Sequence, residues 1–241
     1  ISAAQSGADV TILEKNEKLL KKVFITGKGR CNVTNTAFYE DFLSNVIRGK
    51  KFFMSAFSHF DNYAVMDFFE ENGLKLKEER GGSVFPASDK SSDVIKVLEN
   101  KLKELKVNVK LNFDVTIIEK VNDQFIINKS YEYDKVIICT GGASYKSTGS
   151  DGSMFRVARE LGHKVTLLLP GLSALTCDHL DLGELQGVSL VNVRLVAKLG
   201  KKQIYNELGE MLFTHFGVSG PLVLSLSSLL DKQHIKEYNV Y

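Results

Sequence analysis

The chain has 241 residues, 44% of them hydrophobic, which is enough to bury a substantial core in one large domain or two smaller ones. Charged residues make up 25% and the formal net charge is +2, so the dense basic face of a dedicated nucleic-acid binder is not expected. No apolar run approaches the roughly 20 residues that span a bilayer, and Ile1 starts in mid-pattern without a charged leader. Cys31, Cys139 and Cys177 lie far apart with no C-x-x-C spacing. That pattern argues against a zinc site or a disulfide framework and for reduced thiols in a cytoplasmic protein.

Ile1 to Val10 reads as the last turns of a helix, a stop at Gly7 and the start of a strand over residues 10–14. Residues 15–37 form a long polar connection with Gly27 and Gly29. From Phe38 to Asn72 apolar residues recur at helical spacing, among them Phe57, Phe60, Val65, Phe68 and Phe69, with Asp61 or Asn62 as a cap and Gly73 as the stop. Leu74 to Glu79 and Val84-Phe85 are strand candidates around Gly81-Gly82. An amphipathic helix begins at Ser91-Ser92-Asp93, with Val94, Val97, Leu98, Leu102 and Leu105 on one face.

Val107 to Leu111 is the next strand. Val115 to Val121, Gln124 to Asn128 and Tyr131 to Tyr133 resemble a three-stranded meander. Asp134 to Cys139 is a nearly continuous apolar run, predicted to be a buried parallel strand. Residues 151–161 read as a helix closed by Gly162. From His163 the character shifts to short β-like runs, Val188 to Leu199 and Lys202 to Tyr205, punctuated by Pro170, Gly171, Gly183 and Gly187. The expectation is an α/β domain over residues 1–162 and a β-rich domain over 163–241. Pro221 suits the first position of a last helix over roughly 221–230.

Four stretches carry candidate chemistry. Glu14, at the end of an apolar strand, suits hydrogen bonds from ribose hydroxyls. Gly27-Lys28-Gly29-Arg30-Cys31-Asn32-Val33-Thr34-Asn35 combines glycines that permit close backbone approach with two cations and several amides. In that loop Lys28 and Arg30 suit a pyrophosphate, and Asn32, Thr34 and Asn35 suit a ring or its ribityl chain. Cys31 is a redox neighbour or a small buried hydrophobe. Thr140-Gly141-Gly142 lets backbone pass close to a cofactor at the carboxyl end of a parallel sheet. His215, beside Gly217-Val218-Ser219-Gly220-Pro221, is the candidate catalytic residue, on a turn that opens a helix. His59, His163, His179 and His234 show no ligand spacing. The glycine fingerprint that belongs about 20 residues before a ribose-binding acid would fall ahead of Ile1. The last strand-like residues, Glu237 to Tyr241, have nothing after them. Both ends suggest an internal fragment.

Together, "VTILEKN", "GKGRCNVTN", "VIICTGGASYKSTGSDG", "ELGH" and "GEMLFTHFGVSGP" resemble the family of NAD(P)/FAD-dependent flavoproteins that includes aminoacetone oxidases and related bacterial flavin reductases. The resemblance runs from Ile1 to about Leu230. It implies an FAD-binding Rossmann-like domain whose first strand is missing, with an inserted β-barrel-like domain and FAD held non-covalently. By position it implies that Glu14, with Lys15 beside it, meets the adenosine ribose and that Val115 meets the adenine through its backbone. Lys28, Gly29, Arg30, Cys31 and Asn32 would line the flavin or pyrophosphate, and Thr140, Gly141 and Gly142 would pass nearby. Leu20 stands where the family usually has Gly, and Lys146 where it often has Pro.

The implied function is an FAD-dependent oxidoreductase acting on a small organic substrate by hydride transfer, as an amine oxidase or as a reductase fed by NAD(P)H. The partner expected is a small molecule, with neither nucleic acid nor membrane. The rival readings are a flavin-binding tRNA-modification protein and a nucleotide-binding module without turnover.

Overall fold

Gly7 takes a φ of 87° directly after a one-turn helix and redirects the chain into its first strand. The structure, a computed structural model, describes residues 1–177, 184–231 and 234–241; His179 and Gly183 lie outside them. The chain divides into two compact units, Ile1–Thr166 and Leu167–Tyr241. In the first, the elements are α1 (Ser2–Gln5), β1 (Thr11–Leu13), α2 (Lys21–Ile25), β2 (Thr34–Asn35), α3 (Tyr39–Ser44), α4 (Lys50–His59), α5 (Asn62–Glu71), β3 (Leu76–Glu78), β4 (Ser83–Pro86), α6 (Ser91–Glu104), β5 (Asn108–Lys110), β6 (Ile118–Val121), β7 (Gln124–Ile127), β8 (Tyr131–Tyr133) and α7 (Met154–Glu160). The second unit holds β9 (Leu175–Thr176), β10 (Ser189–Leu199), β11 (Lys202–Thr214), β12 (Gly217–Ser219), α8 (Pro221–Leu229) and β13 (Tyr238–Val240).

The first unit is Rossmann-like. β1 and β5 pair in parallel, Thr11 opposite Asn108, and α6 lies on the connection between them. Val94 of α6 is buried with Cys31, Phe69 and Leu74, and Val97 and Leu98 pack against the same cluster, as the helical spacing predicts. α5 is capped by Asp61, whose carboxylate accepts from Ala64 N–H at 2.8 Å. Phe57 of α4 is buried under stacked rings of Tyr39, Phe42 and Phe53. Phe60, expected on the apolar face, instead ends α4 in an exposed position. β2, β4 and β3 form an antiparallel sheet, and β6, β7 and β8 form the predicted meander. A third cluster joins the meander's Ile118 and Ile127 to Met154 and Val157 of α7, with Leu13, Val115 and Val136 packed against it.

The run from Asp134 to Cys139 is not a buried strand. Residues 135–142 have no regular structure; Val136 packs inward, while Ile137 is 77% exposed and Cys139 is exposed. A strand needs a neighbour to receive its N–H and C=O groups, and among the described residues the parallel sheet consists of β1 and β5 alone.

In the second unit the order is β13-β10-β11-β12-β9, an open antiparallel sheet with β13 and β9 at its edges. The expectation of a β-rich second domain is met by this antiparallel sheet, whose edge strands do not pair with each other among the described residues. α8 covers one face, burying Leu222, Val223 and Leu226 with Leu195, Ala197 and Val218. Pro221 stands at its start, where a missing N–H costs nothing. Gly217 pairs with Thr176 so closely that a Cβ there would overlap the carbonyl oxygen of Leu175. Among the described residues no helix is long and apolar enough to cross a membrane.

Leu226 is fully buried and Leu229, three residues on, is exposed. Leu226→Ala therefore lowers stability by about 2–5 kcal/mol, whereas Leu229→Ala costs under about 1 kcal/mol. Urea denaturation midpoints of the two variants check this.

Candidate cofactor-binding site

The carboxyl end of β1 is the centre of the site. Pairing with β5 continues past the strand, Glu14 N–H donating to Lys110 O at 2.9 Å and Phe113 N–H to Glu14 O at 2.9 Å. This fixes the backbone that projects three successive polar side chains. One Glu14 oxygen accepts from the backbone N–H of Asn16 at 2.9 Å and from its side-chain amide at 2.6 Å. The other oxygen has no partner among the described residues. The Asn16 amide also donates to Thr148 O at 3.2 Å, so one side chain orients the acid and ties down a distant loop.

Lys15 completes that tie, its ammonium lying 2.5 Å from the Asp151 carboxylate. The hydrogen bond from Lys15, joined by one from Ser153, holds the Asp151 carboxyl well below the usual carboxylate range, and the same pair raises Lys15. The loop bound in this way is compact. Gly149, at φ 97°, would place a Cβ 2.6 Å from the Asn16 amide, and Gly141, at φ 73°, would place one 2.5 Å from the hydroxyl of buried Ser150. Larger residues would force these contacts apart. From Val136 to Tyr145 no backbone N–H donates to another described group. Exposed Thr140 and Gly141 and half-buried Gly142 therefore offer free donors beside Glu14's loop.

The glycine-rich connection is placed differently. α2 leads into a tight turn over Thr26–Gly29, in which Gly27 and Lys28 take left-handed backbone, φ 56° and 57°. A Cβ on Gly27 would lie 2.9 Å from Asn32 N, and Gly29, at φ 85°, faces open space. Lys28 is exposed. Arg30 turns toward the β3–β4 hairpin, with its guanidinium on Glu79, 2.6 Å from Asp89 and 4.1 Å over the Phe85 ring. Cys31 is 7% exposed, inside the Phe69–Leu74–Val94 cluster. Asn32 faces the carbonyls of Thr34 and Val84 and, with its amide nitrogen toward them, donates at 2.8 and 3.1 Å. Asn35 is used locally, accepting from Ala37 N–H and donating to Gly81 O, each at 2.8 Å. Val115 is half-buried against the meander cluster. His215 sits in the second unit on the exposed β11–β12 turn, edge-to-face with Phe216 at 4.8 Å.

The structure thus joins Glu14 and Lys15 to the loop that follows Thr140-Gly141-Gly142, and it sets Arg30, Cys31 and Asn32 against β4 and the α5–α6 core. Sequence reasoning missed Asn16 and Asp151. An S-D-G turn preceding a helix is a common signal, and only the fold brings it to Lys15. These features suit a ribose- and phosphate-bearing group: an acid with a free oxygen at a parallel strand end, beside a loop with unpaired N–H donors.

The HI0933-like protein Rossmann domain profile matches residues 1–224. The chain belongs to this family. It is a family of Rossmann-type flavoproteins with FAD as the nucleotide cofactor. The chain is similar to a 3-dehydro-bile acid delta(4,6)-reductase of Clostridium scindens, 33% identical over 239 residues, covering 96% of this chain and 57% of the relative. It is also similar to ribosomal RNA dihydrouridine synthases. The Escherichia coli enzyme is 28% identical over 94% of this chain and 56% of its own length, and the Haemophilus influenzae enzyme is 28% identical over 93% and 56%. The chain spans a little over half the length of the curated relatives it matches.

The Lys15–Asp151 pair is about one-third exposed, which limits it to under about 1 kcal/mol. Because the folded-state Asp151 carboxyl titrates low, its contribution is complete above the ordinary carboxylate range and fades as pH falls. Wild type should melt above Asp151→Asn at pH about 7, and the gap should begin to narrow near pH about 4 and keep shrinking as pH falls further. Thermal melts across that range test it.

Proposed function

We propose that this protein is part of an FAD-dependent reductase that adds a hydride and a proton across a carbon–carbon double bond of a small organic molecule, with NAD(P)H as the donor. The observation that carries the flavin reading is the β1 strand end, where one Glu14 carboxylate oxygen and the backbone N–H groups of residues 136–145 have no hydrogen-bond partner among the described residues. Reduction is favoured over amine oxidation by the relatives, since a delta(4,6)-reductase and a dihydrouridine synthase both take their names from saturating a double bond.

Bound FAD supplies a hydride carrier between nicotinamide and substrate. The chain's own residues hold and orient. Glu14's free oxygen would accept from ribose hydroxyls, and Asn16 keeps that acid aimed by bonding its other oxygen. The N–H groups of Thr140, Gly141 and Gly142 would donate to ligand oxygens, while Lys15–Asp151 and Asn16–Thr148 keep their loop in place. Exposed Lys28 would add positive charge from the glycine-rich turn. His215, on the β11–β12 turn of the second unit, is the candidate catalytic residue. A second reading has specific support from two relatives: the bond reduced lies in a uridine of ribosomal RNA.

Protein expressed from the complete reading frame should copurify with a yellow flavin and oxidise NADPH when a conjugated enone is supplied. Peroxide formation from an amine would overturn the reductase reading, and turnover of a ribosomal RNA fragment in place of the enone would select the second substrate class. His215→Asn should lower kcat about 100-fold while leaving the flavin spectrum unchanged.

A further inference from the structure

We propose that Lys22 and Tyr145 form a clamp on the dinucleotide at the carboxyl end of β1, Lys22 facing a phosphate and the Tyr145 ring stacking on a planar ring of the ligand. This rests on the flavoprotein reading and adds to it two residues that the motifs left unassigned.

The argument begins with charge. Of the cations around the site, Arg30 is matched by Glu79 and Asp89, and Lys15 by Asp151. Lys22 is held only by neutral groups. Its ammonium donates to Ser144 O at 3.0 Å and lies 5.8 Å from the centre of the Tyr145 ring. Among the described residues no carboxylate forms an ion pair with it. A cation pinned by a carbonyl and a ring face keeps its charge available to an anion, and the pinning lowers the entropy lost on binding.

Backbone conformation supports the same two residues. Leu20, immediately before α2, has φ 60°, and Tyr145 has φ 58° and ψ 58°. Bulky residues pay for left-handed backbone, and such strain persists where the surroundings over-determine it. Leu20 sets the start of α2 and hence the position of Lys22 two residues on. Tyr145 is 69% exposed, so burial does not compensate its strain.

Location links the clamp to the ribose acceptor. Tyr145 O accepts from Thr148 N–H at 2.9 Å, and Thr148 O accepts from the Asn16 amide that also holds Glu14. Glu14 and Tyr145 are thus ends of one hydrogen-bonded unit, with Lys22 bound to the residue before Tyr145.

The test is an FAD titration of apo-protein expressed from the complete reading frame, read by flavin fluorescence, with no turnover required. Lys22→Gln should weaken binding about tenfold and flatten its salt dependence, and Lys22→Arg should restore both. Tyr145→Gly, which removes the ring yet suits the left-handed backbone, should weaken binding about tenfold at an unchanged melting temperature. Tyr145→Phe should bind as wild type does. Glu14→Gln tests the underlying reading separately. If it weakens binding while Lys22→Gln and Tyr145→Gly stay within about twofold of wild type, the clamp is overturned and the flavoprotein reading stands. If wild type binds no FAD, both fall.

Discussion

The site depends on one constraint: the end of a three-residue strand must be held by groups far away in sequence. β1 and β5 share a short parallel pairing, too short to fix the side chains beyond it. What fixes them is the pair of ties from Asn16 and Lys15 to the loop around Thr148 and Asp151, more than 130 residues on. These ties satisfy polar groups that would otherwise compete with a ligand. They also leave one Glu14 oxygen and a stretch of free backbone donors facing outward. A hydrogen-bonded acid costs little to orient when a ligand arrives, because its rotamer is already chosen.

The glycine-rich turn and the strand end divide the work between structure and chemistry. Arg30 bridges Glu79 of the β3–β4 hairpin and Asp89 of the turn after β4 and lies over Phe85, while Cys31 packs among Phe69, Leu74 and Val94. Arg30 thus anchors the turn to β4 and its flanking turns, and Cys31 anchors it to the α5–α6 core. The glycines then serve close packing within the turn, since Gly27 abuts the Asn32 backbone. Lys28 stays exposed, and Lys22 reaches the far loop instead. The cations nearest in sequence to the glycine motif therefore differ in role because their neighbours differ.

Local elements were largely legible. The α6 stripe of Val94, Val97 and Leu98, the Asp61 cap, the β6–β8 meander and Pro221 at the start of α8 each follow from periodicity or from a backbone property of a single residue. The failures have a common cause. Val136 to Cys139 has the composition of a buried strand, yet strand state belongs to a pair of segments, and among the described residues no partner strand lies alongside. β11 runs on to Thr214, well past the β-like run ending at Tyr205, because pairing with β10 carries it across Glu207 and Gly209.

The sequence by itself pointed to the flavoprotein oxidoreductase superfamily, through motif order, though not to aminoacetone oxidase within it, and it singled out the candidate acid Glu14 through its place after an apolar strand. It also set the helices, whose hydrogen bonds close within a few residues. Only the tertiary structure decided which charges remain available. Arg30 and Lys15 find carboxylates across the fold, and Lys22 finds a carbonyl and a ring. Electrostatic pairing acts through space over a few ångströms, and the chain positions that meet at that distance are set by packing, which no local pattern encodes.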